Sequence, residues 1–242
     1  MPRTIILPDI NNLASTVAEA TAAWINDHPG GLVCLAAGNT PLLAYQRLIE
    51  LQDAGKVNLS SVYYAGLDEW VGLGPKDTGS CAQVMTDRFY GPARIPADRM
   101  HVFSGLANPQ QELNAMDRWI FERGGIGFTL LGVGLNGHIG FNEPAAPDQD
   151  GCILVDLDHV TQVVSKKYFG RPREISQGIS VSARTLMKAG TIFLMASGEL
   201  KREIVSKICQ EYPDPAIPAA RLIGHPGLTI YLDVDAAGAV QS

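Results

Sequence analysis

Four short segments of the chain concentrate the residue types that move protons and hold anions. The richest is Gly132-Val133-Gly134-Leu135-Asn136-Gly137-His138-Ile139-Gly140-Phe141-Asn142-Glu143-Pro144. Glycines at this density let a backbone fold tightly around a ligand. His138 alone of the five histidines lies in such a setting, and imidazole suits proton transfer near neutrality. His28, His101, His159 and His225 lack that context and read as surface or packing residues. The spacing Gly132-x-Gly134-x-x-Gly137 matches a dinucleotide fingerprint formally, but a histidine follows at once and no helical apolar periodicity does.

The other three segments are shorter. Asp68-Glu69 places two carboxylates side by side, and either could serve as a general base. One carboxylate capping a loop with the other solvated would give the same sequence. Gly38-Asn39-Thr40-Pro41 is a small-residue turn before a helix, where unpaired N–H groups and the helix dipole attract an anion such as phosphate. An ordinary β-α turn would read alike. Ser197-Gly198-Glu199-Leu200-Lys201 sets Lys201 in the first turn of a helix, where a cation opposes the dipole unless an anion is bound.

The elements around these segments alternate. Leu13, Val17, Ala20 and Trp24 mark one face of a helix over 11–28, started by Asp9 or Asn11 and ended by Pro29-Gly30-Gly31. Leu32 to Ala37 is a continuous apolar run, as expected of a strand covered on both faces. A helix to about residue 53 follows. Further strands are expected at Val62–Leu67, Phe128–Val133, Ile192–Ala196 and Leu228–Leu232, with helices over 79–90, 109–123 and 198–210. This order predicts an α/β fold: one doubly wound, mostly parallel, Rossmann-like sheet with helices on both faces. In such sheets ligands bind beyond the carboxyl ends of strands, and all four segments fall there.

Composition bounds the function. The 242 residues are 46% hydrophobic and 18% charged, enough apolar material for a sizeable core. A single domain over 1–242 is expected. The formal net charge of −6 argues against a general nucleic-acid binder. Cys34, Cys81, Cys152 and Cys209 form no Cys-x-x-Cys pair, so neither a zinc knuckle nor a disulfide scaffold is expected. No signal-peptide core and no membrane-length apolar run is seen, which points to the cytoplasm.

In this order and spacing, the four motifs closely resemble the glucosamine-6-phosphate deaminase and galactosamine-6-phosphate isomerase family, over about 31–233. The most specific part is the run Gly134 to Pro144. The related 6-phosphogluconolactonases share the fold and the Gly-x-Thr-Pro turn, but lack the Phe-Asn-Glu-Pro continuation and usually carry Asp-Glu-Arg at Asp68-Glu69-Trp70. The resemblance implies isomerisation of a 2-amino-2-deoxyhexose 6-phosphate to a ketohexose 6-phosphate with release of ammonia. It implies no metal and no organic cofactor, and a small-molecule aminosugar phosphate as the partner, with no nucleic acid and no membrane. A homo-oligomer is left open.

By the same resemblance His138 matches the acid/base that opens the sugar ring, supported by Asn136 and Glu143. Asp68 matches the base that takes the C2 proton and returns it to C1. Gly38, Asn39, Thr40 and Lys201 match phosphate-binding positions. Lys167 is nearest to a family arginine that also binds phosphate, with Arg171 or Arg173 as alternatives; a lysine there lacks the bidentate fork. Asn136 brings no negative charge, unlike the Asp of some members, so Glu143 carries that role. Segment 145–175 is the candidate lid. Trp70, Gly170-Arg171-Pro172 and the short C-terminus look more like the galactosamine branch. Two rival readings are a lactonase, which needs His138 but no enolising base, and a non-catalytic sugar-phosphate sensor.

Allosteric hexameric members bind an activating N-acetyl sugar phosphate through cations shortly after the Asn-Glu-Pro. Here Ala145 to Val155 contains no cation. The rate curve is therefore expected to be unmoved by N-acetylglucosamine 6-phosphate. A sigmoidal curve that became hyperbolic on its addition would contradict this.

Overall fold

A computed structural model describes residues 2–165, 168–169, 173–210 and 212–240. In chain order the elements are β1 Arg3–Leu7, α1 Ile10–Asp27, β2 Leu32–Leu35, α2 Asn39–Asp53, β3 Tyr63–Gly66, β4 Asp68–Trp70 and α3 Cys81–Met85, which runs on as a π-turn Thr86–Tyr90. Next come β5 Met100–His101, α4 Pro109–Glu122, β6 Phe128–Gly132, β7 Cys152–Asp156, α5 His159–Ser165, β8 Gln177–Val181 and α6 Ala183–Leu186. The chain continues through β9 Thr191–Ala196, α7 Arg202–Ile208, β10 Leu228–Asp233 and α8 Val234–Ala237. Asp9 starts α1 by accepting the Asn11 and Asn12 N–H groups at 2.8 and 2.9 Å.

The central sheet has seven parallel strands in the order β1-β10-β9-β6-β2-β3-β5. Its apolar runs are continuous because successive residues enter different layers. In β2, Leu32 and Cys34 pack with Leu113 and Met116 of α4 and Val205 of α7. Val33 and Leu35 pack on the other face with Leu13 and Val17 of α1 and Tyr45 of α2. Helices therefore cover both faces, as expected from the sequence. From β2 the chain steps outward through β3 and β5, then crosses back to lay β6 on the other side of β2. That reversal opens a crevice at the carboxyl ends of β2 and β6, where ligands bind in such sheets.

A second sheet was absent from the sequence-based expectation. It is antiparallel, ordered β4-β8-β7, and stands beyond the carboxyl end of β3. Its strands are three to five residues long, and only β7 carries an apolar run, Cys152 to Val155, interrupted in burial by exposed Leu154. Trp70 joins it to the glycine-rich segment, with its ring 4.4 Å from that of Phe141 and 5.6 Å from that of Phe169.

Asn142 fastens this segment to the second sheet. Its amide donates to the Ile139 and Val181 carbonyls at 2.8 and 2.9 Å and accepts from Ala183 N–H at 2.6 Å, fully enclosed. Asn142→Ala strands the Ala183 N–H and takes one bond each from the Ile139 and Val181 carbonyls, which keep Asn142 N–H and the Ser180 hydroxyl, and should cost about 3 kcal/mol, read as a lowered Tm in thermal melts. A loss under about 1 kcal/mol would show that the segment does not rest on this side chain.

Candidate active site

The crevice is lined from beyond four neighbouring strands, β9, β6, β2 and β3. The segment after β2 begins α2 at Gly38, whose cap position makes no side-chain hydrogen bond. Gly38 has φ −67°, ordinary for any residue, and a Cβ there would meet nothing within 4 Å. Neither backbone geometry nor packing within the chain demands glycine there. Asn39 is exposed and Thr40 half-buried at that same end.

After β9, Gly198 adopts φ +86°, a conformation that favours glycine. Asp233, buried at the end of β10, accepts Gly198 N–H at 3.0 Å, the Ser197 hydroxyl, and Ala236 N–H at 2.8 Å. Sequence reasoning missed Asp233; its place directly after an apolar strand was the available signal. Lys201 closes a short 3-10 turn ahead of α7 rather than lying inside the helix as expected. Its Nζ donates to the Val133 carbonyl at 2.6 Å, so the ammonium stands over the end of β6. β6 lies between β2 and β9, which brings Lys201 to the same edge as the start of α2.

After β6, the glycines shape a pocket for one imidazole. A Cβ on Gly134 would lie 2.4–2.5 Å from the His138 ring, so only glycine lets the ring lie there. Gly137 and Gly140 have φ +85° and +56°. Around the ring, His138 Nδ1 is 3.5 Å from Glu143 Oε2 and 3.1 Å from Thr161 Oγ1. Asn136 donates to Glu143 Oε2 at 2.8 Å and accepts His138 N–H at 3.2 Å. It therefore orients Glu143 and the backbone rather than the ring. Glu143 is only 3% exposed. Burial pushes its carboxyl up, but hydrogen bonds from His138, Thr161 and Asn136 and the His138 charge prevail and hold it below the usual range. Thr161 on α5 was not anticipated; nothing in sequence ties it to a histidine so far upstream.

The two adjacent carboxylates separate in role. Glu69 is fully buried and accepts from Ser80 Oγ at 2.6 Å, Ala82 N–H at 2.9 Å, Trp70 N–H at 2.9 Å and Cys81 N–H at 3.0 Å. It is the structural member of the pair. Asp68 is half-buried at the start of β4, just beyond β3, and carries no such set among the described residues. Burial first, then the Glu69 charge, pushes its carboxyl up to about 7 against a partly offsetting hydrogen bond from the Cys81 thiol. That is the range in which a general base works best at neutral pH.

Of the phosphate-binding alternatives, Lys167 and Arg171 lie outside the described residues. Arg173 is tied to Asp77, with Nη2 2.5 Å from Oδ1. Among the described residues no group of three or more His, Cys, Asp or Glu could hold a metal ion, and no helix is long and apolar enough to cross a membrane.

A family model described as glucosamine-6-phosphate isomerases/6-phosphogluconolactonase matches residues 9–230. A glucosamine-6-phosphate deaminase of Thermoanaerobacter pseudethanolicus is 32% identical over 240 residues, covering 98% of this chain and 95% of its own length. One from Rhodopirellula baltica is 34% identical over 234 residues, covering 96% and 93%. Among solved structures, a monomeric glucosamine-6-phosphate deaminase superimposes with a TM-score of 0.92 at 28% identity, over 97% of this chain and 98% of that one. The 6-phosphogluconolactonase of Leishmania guyanensis shares the fold at a TM-score of 0.81 and 18% identity over the full length of both chains. With a matching model over nearly its whole length and relatives above 30% identity, the chain belongs to the glucosamine-6-phosphate isomerase/6-phosphogluconolactonase family.

Proposed function

We propose that the chain converts a 2-amino-2-deoxyhexose 6-phosphate into a ketohexose 6-phosphate and ammonia, with glucosamine 6-phosphate as the preferred sugar. The feature that carries this reading is the Asp68 carboxyl, which burial and the Glu69 charge push up to about 7, in a crevice that also holds the His138–Glu143 pair. Lactone hydrolysis has no use for a second base of that kind, whereas moving a proton between adjacent carbons does. The galactosamine preference drawn from the sequence gains no support from the relatives, which carry the glucosamine name.

The residues divide the work as follows. His138, with Glu143 kept anionic behind it, shuttles the anomeric proton and opens the ring. Asn136 fixes Glu143. Asp68 takes the proton from C2 of the open chain and delivers it to C1, leaving an imine at C2. Water adds to that imine, and ammonia departs as the ketone forms. The N-terminus of α2, with Gly38, Asn39 and Thr40, and the Lys201 ammonium hold the phosphate. Lys167 is proposed as a further phosphate cation.

Ammonia release should be measured with glucosamine 6-phosphate and galactosamine 6-phosphate, alongside hydrolysis of 6-phosphogluconolactone. Ammonia is expected from glucosamine 6-phosphate at the higher kcat/KM. Lactone hydrolysis without ammonia from either sugar would overturn the reading.

Asp68→Asn should lower turnover by about a thousand-fold, within the usual worth of a general base. It should also stabilise the fold. Asp68 has an ordinary value of 3.8 and about 7 when folded. Between those pH values the unfolded chain releases the proton that the folded chain keeps, so stability drains as pH rises through the window, and the deficit persists above it. The Tm gain of Asp68→Asn should therefore be larger at pH 8 than at pH 5. An equal gain at both, or a loss, would contradict the raised value.

A further inference from the structure

Thr21 and Thr161 are both buried in helices, yet they use their hydroxyls differently. In α1, Thr21 Oγ1 donates to the Val17 carbonyl one turn back at 2.7 Å, a common course for a helical threonine. In α5, the carbonyl one turn before Thr161 is that of Leu157, and it takes the Gln162 side-chain amide at 2.8 Å. The Thr161 hydroxyl instead stands 3.1 Å from His138 Nδ1, 23 positions upstream. The start of α5 is held so as to deliver it there. Asp158 Oδ1 accepts the Val160 N–H at 2.8 Å, and the Asp158 carbonyl accepts the Gln162 N–H at 2.9 Å. Leu157, buried in one cluster with Trp70 and Phe141, donates its N–H to the Ser176 carbonyl at 2.8 Å. A β-branched side chain has few rotamers in a helix, so a fixed backbone fixes its hydroxyl.

Three constraints meet on the one imidazole. Gly134 leaves room for its face. Glu143 Oε2 lies 3.5 Å from Nδ1, and Thr161 Oγ1 is nearer. An ionised carboxylate beside Nδ1 favours the proton on that nitrogen and leaves Nε2 its lone pair. We propose that Thr161 is a positioning residue for ring opening: its hydroxyl accepts the His138 Nδ1–H and fixes the rotation and tautomer of the ring, with the bare Nε2 turned to the anomeric hydroxyl. This rests on the reading of His138 as the group that opens the ring. Nε2 takes the O1 proton, the O1 electron pair forms the carbonyl as the C1–O5 bond breaks, and the imidazolium returns the proton to O5. Glu143 supplies the charge that steadies the imidazolium, and Thr161 supplies the direction.

The test compares Thr161→Val, which keeps the shape and loses the hydroxyl, with Thr161→Ser, which keeps the hydroxyl. For ammonia release from glucosamine 6-phosphate, Thr161→Val should lower kcat about fivefold, the worth of one net hydrogen bond. KM should stay within about twofold, because the loss falls on the reacting geometry rather than on substrate binding. Thr161→Ser should recover most of the rate. In proton–nitrogen NMR spectra of histidine-labelled protein, the His138 signals are identified by their absence in His138→Gln. The Nδ1 resonance should shift in Thr161→Val and return in Thr161→Ser. An unchanged kcat or an unmoved Nδ1 resonance in Thr161→Val, or a Thr161→Ser variant as slow as Thr161→Val, overturns the proposal. If Thr161→Val does not fold, Thr161→Ala takes its place under the same criteria. His138→Gln separates the two readings. Near-normal ammonia release there would remove the ring-opening assignment itself, whereas an inactive His138→Gln with an unaffected Thr161→Val would remove only the role of Thr161.

Discussion

Two carboxylates stand next to each other where β3 gives way to β4, and the rest of the site depends on how that repulsion is handled. Neighbouring negative charges under partial burial cannot both be left bare. The chain resolves the conflict by asymmetry. Glu69 receives three backbone N–H groups and a hydroxyl, which offset part of the rise that full burial imposes on its carboxyl. Among the described residues Asp68 receives no backbone donor of that kind, and burial with the Glu69 charge pushes its carboxyl up to about 7. The strand period of two puts one group into structure and the other into the crevice.

The proton-transfer site across the crevice uses the opposite device. His138 lies in a bend that only glycine at 134 permits, and its Nδ1 side faces an enclosed carboxylate and the Thr161 hydroxyl. Asn136 in place of a second acid means that Glu143 is hydrogen-bonded rather than repelled by its neighbour. One acid is kept ionised by donors, and the other is raised by their scarcity. Pairs of carboxyl groups pushed apart in this way are what acid/base chemistry at neutral pH needs. In the proposed function the net charge of −6 does not oppose an anionic substrate, because the phosphate would meet one helix end and Lys201 rather than the average surface.

Much of this was legible in the sequence, and what was not has physical reasons. β2, β6, β9 and β10 are covered on both faces, so they announce themselves as apolar runs bounded by small residues. β1 and β5 are sheet edges, short or partly exposed, and gave no such signal. β4, β7 and β8 form a small sheet in which β4 pairs with β8 across more than a hundred positions, as Asp68 with Ser180, and no local pattern encodes that pairing. The chemistry-bearing motifs stood out because glycine, histidine and paired acids are unusual at strand ends. Their supports did not: Thr161, Asp233, Ser80 and Cys81 are ordinary residues whose roles arise only from the partners that the fold brings to them.

The central claim is that the Glu69 clamp leaves Asp68 with a proton affinity matched to neutral pH. The most direct measurement is a carboxyl carbon NMR titration of aspartate-labelled protein, with the Asp68 signal identified by its absence in Asp68→Asn. The account predicts a midpoint near 7 for that signal. A midpoint in the ordinary aspartate range, about 4, would contradict it.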